Sequence, residues 1–482
     1  MISQFIDLDS SIEPRAFGCS IPLTSAQAKI WNRSLEADGR RPSLRMCASA
    51  VRIVGRLNLE FLQVSIASVI RRHEALRTRI VLESGCPYQQ VEPVPVHVLS
   101  TIDLSDQPPH ACSKVSLLAQ RFIDTPIDLA IGPLFEAKIW RLSDDEHVLV
   151  LLVDHIVSDG ISNGIIAREV WECYRQGMLG QPVNLPEIPV QFPDYAVWQA
   201  QTRLAWMEKH AEHWRQHLRD AGPTVIPAGQ SLSDENPAVG NVKHIPFGSE
   251  LTVALREAAR QERVLLSVLV LTAHAVVLSA WCRTEDLLVV FAFHGRHRPA
   301  LRNVVGYVAN ALLLRIHVKR DQTFGELLAE VKREVATALE HRDFDRVGDF
   351  MPECTTDVGL SWQSTHSKQG TLDHHVIGEC ADQLSCSFEL DSGIEDKKSP
   401  TTNQLRVVPF LTRSPDTPKP FIPTIFDTPS ALHMTIGFDP SIRAPVTVER
   451  FGRNLLVIAK EICQHPTPCI ASLLEKIDMR RG

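Results

Sequence analysis

Apolar positions recur at helical spacing in the first eighty residues. Leu59, Leu62, Ile66, Val69 and Ile70 share one face after Asn58, a residue type that opens helices by accepting from their free backbone N–H groups. The pattern predicts a helix running into Arg71-Arg72-His73-Glu74-Ala75-Leu76-Arg77-Thr78, with cationic residues at the end where the helix dipole is negative. A shorter helix is expected over Ser25–Trp31, entered through a Thr24/Ser25 cap.

The next pattern is of strands. Leu134–Leu142 and His147–Val153 are apolar, β-prone runs separated by Ser143-Asp144-Asp145-Glu146, which predicts an antiparallel hairpin. Val148 to Val153 has no polar face, as expected of a strand covered on both sides. It delivers Asp154-His155-Ile156-Val157-Ser158-Asp159-Gly160, and a helical pattern through Ile165, Ile166 and Val170 follows, giving strand, tight loop, helix.

A Pro-rich crossing, with Pro182, Pro186, Pro189 and Pro193, ends in Phe192-Pro193-Asp194-Tyr195-Ala196-Val197-Trp198-Gln199 and a further helix through Trp214. The alternation then resumes with helices over Leu251–Arg263 and Ser267–Trp281 and a strand over Asp286–Phe293, after which no counterpart of the His155 loop is seen. The expected organisation is two lobes, residues 1–180 and 181–482, within an α/β (α+β) class. The polar stretch Asp391–Asn403 reads as a mobile insertion dividing the second lobe.

Composition narrows the function classes. At 482 residues the chain exceeds one ordinary core, and its 44% hydrophobic and 22% charged residues have the balance of a folded globular protein. Lys plus Arg number 50 against 57 Asp plus Glu, net −7, with no basic block, so nucleic acid is not an expected partner. The 11 cysteines form no C-x-x-C pair and are odd in number, which argues for reduced thiols and a cytoplasmic setting. Met1–Arg15 carries Asp7, Asp9 and Glu13 where a secretory signal would be basic and then apolar, and the apolar run near Val264–Trp281 is interrupted by Ser, Thr and His, so no membrane partner is expected.

The candidate chemistry lies in H-x-x-x-D-G, His155 to Gly160, at the exit of the buried strand. Rigid backbone there can hold an imidazole open to a cavity. A histidine with an ordinary pKa near ~6.5 is partly neutral at pH 7 and can take a proton from an attacking amine or hydroxyl. Asp159, in the turn, is better placed to lock the loop by pairing with an arginine than to relay protons. The frame alone is not specific: His341 to Asp345 repeats it without the glycine, and Asp373-His374-His375 pairs two histidines without the following Asp, as a surface loop would. No His, Cys and carboxylate cluster has metal-ligand spacing.

Five fragments in register are more specific. Thr24–Trp31, Arg72–Thr78, Asp154–Gly160, Asp194–Gln199 and Gly306-Tyr307-Val308-Ala309-Asn310 with Arg315 resemble, in order and spacing, the core motifs of nonribosomal peptide synthetase condensation domains. Gly437-Phe438-Asp439-Pro440 and a helix over Val448–Ile462 continue the resemblance to the end. It implies two chloramphenicol-acetyltransferase-like lobes in a V shape around a central tunnel. His155 would be the second, catalytic histidine of the family's HHxxxDG motif, as base or as positioner of the nucleophile. Asp159 would be the structural aspartate, Gly160 the residue beside the reacting carbonyl, and Arg72 or Arg77 the salt-bridge partner. Asp154 departs from the motif, standing where its first histidine does, and if ionised and close it would raise the imidazole pKa.

The resemblance implies no bound cofactor. The acyl group would arrive on the phosphopantetheine of an acyl or peptidyl carrier protein in trans, and a small-molecule amine or hydroxy acid would accept it. With no LGGxS carrier motif and no adenylation signature between Met1 and Gly482, a free-standing enzyme is expected, most similar to the chain-releasing condensation enzymes of enacyloxin-type polyketide assembly. Arg296, Arg298 and Arg302 would attract an acidic carrier or be ordinary solvated surface. Three other readings stay open. A coenzyme A-dependent acyltransferase shares the H-x-x-x-D-G chemistry, but its DFGWG segment is missing; an inactive recruitment module would not need His155; and an epimerisation domain would normally sit beside a carrier.

Overall fold

The computed structural model describes residues 11–35, 40, 42–43, 46–106, 112–227, 242–342, 356, 358–364, 388–390, 405–410, 421–438, 443–465 and 467–478. Asn58 caps the helix Leu59–Arg72, its side chain accepting from Phe61 N, and Thr24 with Gln27 forms a reciprocal capping box on Ser25–Arg33. The first of these helices stops earlier than its pattern suggests. His73 is its C-cap, Glu74–Arg77 is a 3₁₀ turn, and Thr78 opens a strand, Thr78–Glu83, paired with Cys86–Val91. Alternation over Thr78, Arg79, Ile80 and Val81, buried at Thr78 and Ile80, overrides the helical period there.

The expected hairpin forms as Phe135–Ser143 and Glu146–Asp154. The second strand also pairs antiparallel with Met46–Val54, from Met46 opposite Asp154 to Val54 opposite Glu146. It lies inside a six-stranded sheet ordered Phe388–Leu390, Leu405–Pro409, Met46–Val54, Glu146–Asp154, Phe135–Ser143, Ser100–Asp103. Leu149, Leu151 and Val153 pack against Leu62, Ile66, Val69, Ile165 and Val170 of the helices Leu59–Arg72 and Gly160–Met178. Val148, Val150 and Leu152 pack against Val115, Ala119, Phe122 and Ile123 of the helix Cys112–Asp124. The strand is apolar on both sides because both sides are covered; each such side chain contributes about 1.5–3 kcal/mol by leaving water.

A second sheet is ordered Val242–Pro246, Leu432–Gly437, Thr424–Asp427, Gly359–Ser364, Asp286–Phe293, Asn310–His317. Helices Ser249–Gln261, Leu266–Cys282, Phe324–Glu340 and Pro445–Gln464 contribute Leu255, Leu271, Leu327 and Phe451 to its core. Leu266–Cys282 is buried all round from Val268 to Ser279, which explains its apolar sequence. Among the described residues no single helix is long and apolar enough to cross a membrane.

Each sheet with its helices forms a compact unit, and the chain does not divide between them at one point. The first unit takes residues up to Arg203, then His294–Ala309 and the described part of 367–415; the second takes the remainder. The contiguous lobes 1–180 and 181–482 are corrected accordingly. Long-range pairing is the reason: Leu405–Pro409 adds to Met46–Val54, and His294–Ala309 is held by the first unit through a buried ion pair. Asp391–Asn403 and Asp373-His374-His375 lie outside the described residues.

Candidate active site

The loop after Glu146–Asp154 is fixed before any chemistry is considered. Fully buried Asp154 accepts from Ile156 N through Oδ1 at 2.8 Å, capping a 3₁₀ turn over His155–Val157. From the other side, the Gln27 amide donates to Ile156 O at 2.9 Å. His155 itself is partly exposed. Its Nδ1 lies 2.7 Å from Ser158 O, and a carbonyl can only accept, so Nδ1 carries the proton. When the ring is neutral its lone pair is therefore on Nε2, the arrangement a general base needs.

Asp159 caps the helix Gly160–Met178, with Gly160 as its first residue. Oδ1 accepts from Ser162 N and Ser162 Oγ, both at 2.8 Å, and Oδ2 accepts from Val308 N at 3.1 Å and Ala309 N at 2.9 Å. Arg296 adds a bidentate pair, Nη1 to Oδ2 at 2.8 Å and Nη2 to Oδ1 at 2.9 Å. The two side chains are 4% and 2% exposed, so neither charge has water as an alternative partner. Burial acts first and upward on the Asp159 carboxyl, but the charge and hydrogen bonds of Arg296, with those of Ser162, outweigh it and hold the group below the usual carboxylate range.

The same network anchors the segment that follows. Arg296 Nη2 donates to Val304 O at 3.0 Å and to Ser162 Oγ at 2.9 Å, and Ser162 Oγ accepts from Gly306 N at 3.0 Å. Two glycines permit this approach. Gly295, at φ +69°, would place a Cβ 2.0 Å from Val308 O, and a Cβ on Gly306 would stand 2.2 Å from the Phe192 ring. The Tyr307 ring then lies against His155, with centroids 4.5 Å apart and planes inclined by 43°.

The arginine expectation is corrected. Arg72 bonds Glu169 through Nε at 3.0 Å and the carbonyl of Pro186 through Nη2, while Arg77 donates to Glu92 O at 2.7 Å. Asp159 takes Arg296 instead, which also removes Arg296 from the set of surface cations. Arg298 stacks over Trp198 at 4.6 Å, and Arg315 forms a bidentate pair with Asp286 within the second unit. Spacing does not single out Ser162, and it gives Arg296 only as a candidate surface cation and Tyr307 only as part of the Gly306–Asn310 fragment. The signal available was local: His294-Gly295-Arg296 leaves a buried strand as Asp154-His155 does. His341 packs with His210 and His213 in the second unit.

Comparison with known proteins identifies the family. Residues 19–348 match the condensation domain family model. Over 94% of its length the chain is 28% identical to phosphinothricin tripeptide synthetase PhsC of Streptomyces viridochromogenes, of which it covers 40%. Over 75% it is 30% identical to chondramide synthase cmdD of Chondromyces crocatus, covering 9% of that protein. The chain thus spans well under half the length of these curated relatives. Its fold is similar to that of a four-domain nonribosomal peptide synthetase bound to AMP and glycine, at TM-score 0.76 and 18% identity, covering 97% of this chain and 34% of that one. It is also similar to the X-domain of teicoplanin biosynthesis, solved in complex with OxyB, at TM-score 0.75 and 19% identity, covering 98% and 99%. The fold is the mixed α/β fold of two sheet-and-helix units that condensation domain structures have. The chain belongs to the condensation domain family of the nonribosomal peptide synthetases, enzymes that form amide or ester bonds from carrier-bound acyl groups.

Proposed function

We propose that the chain transfers an acyl group from a phosphopantetheine thioester, on an acyl or peptidyl carrier protein supplied in trans, to the hydroxyl or amine of a small acceptor, releasing a finished chain as ester or amide. The observation that carries this reading is the Nδ1–H of His155 donating to Ser158 O, which leaves Nε2 as the proton acceptor. As the acceptor oxygen or nitrogen bonds to the thioester carbonyl carbon, Nε2 takes its proton. The tetrahedral centre then collapses, the carbon–sulfur bond breaks, and the imidazolium returns the proton to the departing pantetheine sulfur. Asp159 holds the loop and never exchanges a proton in this scheme, because Arg296 keeps it ionised. Release in trans rests on the resemblance to chain-releasing condensation enzymes.

The test is intact-protein mass spectrometry of carrier proteins loaded with a panel of acyl groups, incubated with candidate amines and hydroxy acids and with wild type or His155→Ala. Unloading with formation of ester or amide in wild type, reduced about 10²–10⁴-fold in the variant, is the expected result. Equal background unloading by both proteins would favour a recruitment module, and equal turnover of acyl-coenzyme A would favour a coenzyme A-dependent enzyme.

A further inference from the structure

The turn that carries His155 is held by side chains on both sides of its middle residue. Ile156 N donates to Asp154 Oδ1 at 2.8 Å, and Ile156 O accepts from Gln27 Nε2 at 2.9 Å. Ile156 and Gln27 are both 0% exposed, so bulk water cannot take the place of that amide. The orientation of the amide follows from its surroundings. Pro22 O can only accept, so the Gln89 nitrogen faces it, at 2.8 Å, and Gln89 Oε1 is left as an acceptor. Gln27 Nε2 donates one hydrogen to that oxygen at 3.1 Å and the other to Ile156 O, while Gln27 Oε1 accepts from Thr24 N at 2.9 Å. Flipping the amide would set its oxygen against two acceptors, so both of its hydrogens are committed. A relay from Pro22 through Gln89 and Gln27 thereby ties the His155 turn to the pairing of Ile21–Pro22 with Cys86–Val91.

From this geometry we infer that Gln27 is a positioning residue for the reaction, and that Gln89 orients it. Gln27 acts through the backbone. With Asp154 on the peptide before Ile156 and Gln27 on the peptide after it, both peptide planes around that residue are fixed, and the first of them contains the His155 Cα. The direction in which the imidazole leaves the chain is set there. The inference rests on His155 being the base of the proposed reaction, but its first readout does not need turnover.

That readout is backbone hydrogen exchange over residues 155–160, followed by mass spectrometry at a temperature where melts show every variant folded. Gln27→Met keeps the length of the side chain but has no donor for Ile156 O, and the amides of the turn are expected to exchange about fivefold to tenfold faster, with the strand Glu146–Asp154 unchanged. With the acyl-loaded carrier and acceptor that wild type turns over, Gln27→Met is expected to lower kcat by about 10–10²-fold, the scale of a misplacement near 1 Å, with KM within about twofold. Thr24→Val is the control, because it removes the hydroxyl that accepts from Gln27 N at 3.2 Å but keeps Thr24 N, and so loosens the same helix without touching the turn. It is expected to melt lower than wild type, with turn exchange and kcat within about twofold. Gln89→Met, which unties Gln27 but leaves its bond to Ile156 O, is expected to fall between the two in both readouts, and it carries the test if Gln27→Met does not fold. Wild-type exchange of the turn in folded Gln27→Met, or in Gln89→Met where that variant carries the test, would overturn the inference. So would a loss of kcat in Thr24→Val equal to that in Gln27→Met, which would make helix stability the cause. Full activity in His155→Ala would instead remove the base reading and the positioning role with it, while the exchange rates would still decide whether Gln27 holds the turn.

Discussion

Replacing Arg296 by Met tests what the buried pair does. Methionine fills similar volume but removes both charged donors from Asp159, which keeps Ser162 N, Ser162 Oγ, Val308 N and Ala309 N. Neutral donors do not replace a guanidinium in a site 2% exposed, and stranding one member of a buried pair costs about 3–5 kcal/mol. A unit of this size loses roughly 2–4 °C of melting temperature per kcal/mol, so Arg296→Met should melt about 6–20 °C lower, by circular dichroism at pH 7. The deficit should have a sign under pH. In wild type the depressed Asp159 carboxyl adds stability above its unfolded value near ~3.9, lost as pH falls through the lower folded value. In the variant burial is opposed only by the neutral donors that remain, so Asp159 protonates sooner and the gap between the two proteins should narrow towards acid. Adding Asp159→Asn to Arg296→Met removes the stranded charge and should raise the melting temperature again. A single variant within about 2 °C of wild type, or a double variant less stable than Arg296→Met, would refute the reasoning.

Gly306→Ala places a Cβ 2.2 Å from the ring of fully buried Phe192, so it should destabilise by about 1–3 kcal/mol; an unchanged urea midpoint would mean the ring can move aside. His210 and His213 are each pushed down to about 4, by burial and then by the charge of His341, with His210 Nδ1 2.5 Å from His341 Nδ1. Their unfolded forms take protons near ~6.5, so stability should fall as pH drops from there towards 4; His213→Gln should flatten that acid limb in urea melts, and an identical slope would exclude the cluster as its cause.

The parts of the site legible in the sequence are those fixed by neighbours in the chain. Asn58 and Thr24 announce helices because a cap acts within three residues, and the uniformly apolar run from Val148 to Val153 announces a strand covered on both faces. The turn at His155 follows because it joins that strand to a helix whose N-cap is Asp159. The partner of Asp159 was not legible, because 137 residues separate it from Arg296 and no local period records that distance. Arg72 and Arg77 were nearer in the motif order, but Arg72 meets Glu169 and Arg77 the carbonyl of Glu92. The division of the chain escaped for a similar reason: residues 294–309 belong by contact to the first unit although the strand leading into them belongs to the second.

An arginine between Gly295 and His297 reads as solvated because burying a guanidinium is costly unless a carboxylate is waiting, and sequence does not show the carboxylate. Stability alone does not explain the pair. Well-packed apolar residues of similar volume often match or exceed a buried ion pair in stability. An apolar residue at 159, however, could not accept from Ser162, Val308 and Ala309 together. Those acceptances join the start of the helix after His155 to the backbone that follows Tyr307. A charge at 159 therefore fixes a geometry that apolar packing at the same position could not specify, and Arg296 is what makes that charge tolerable in the interior.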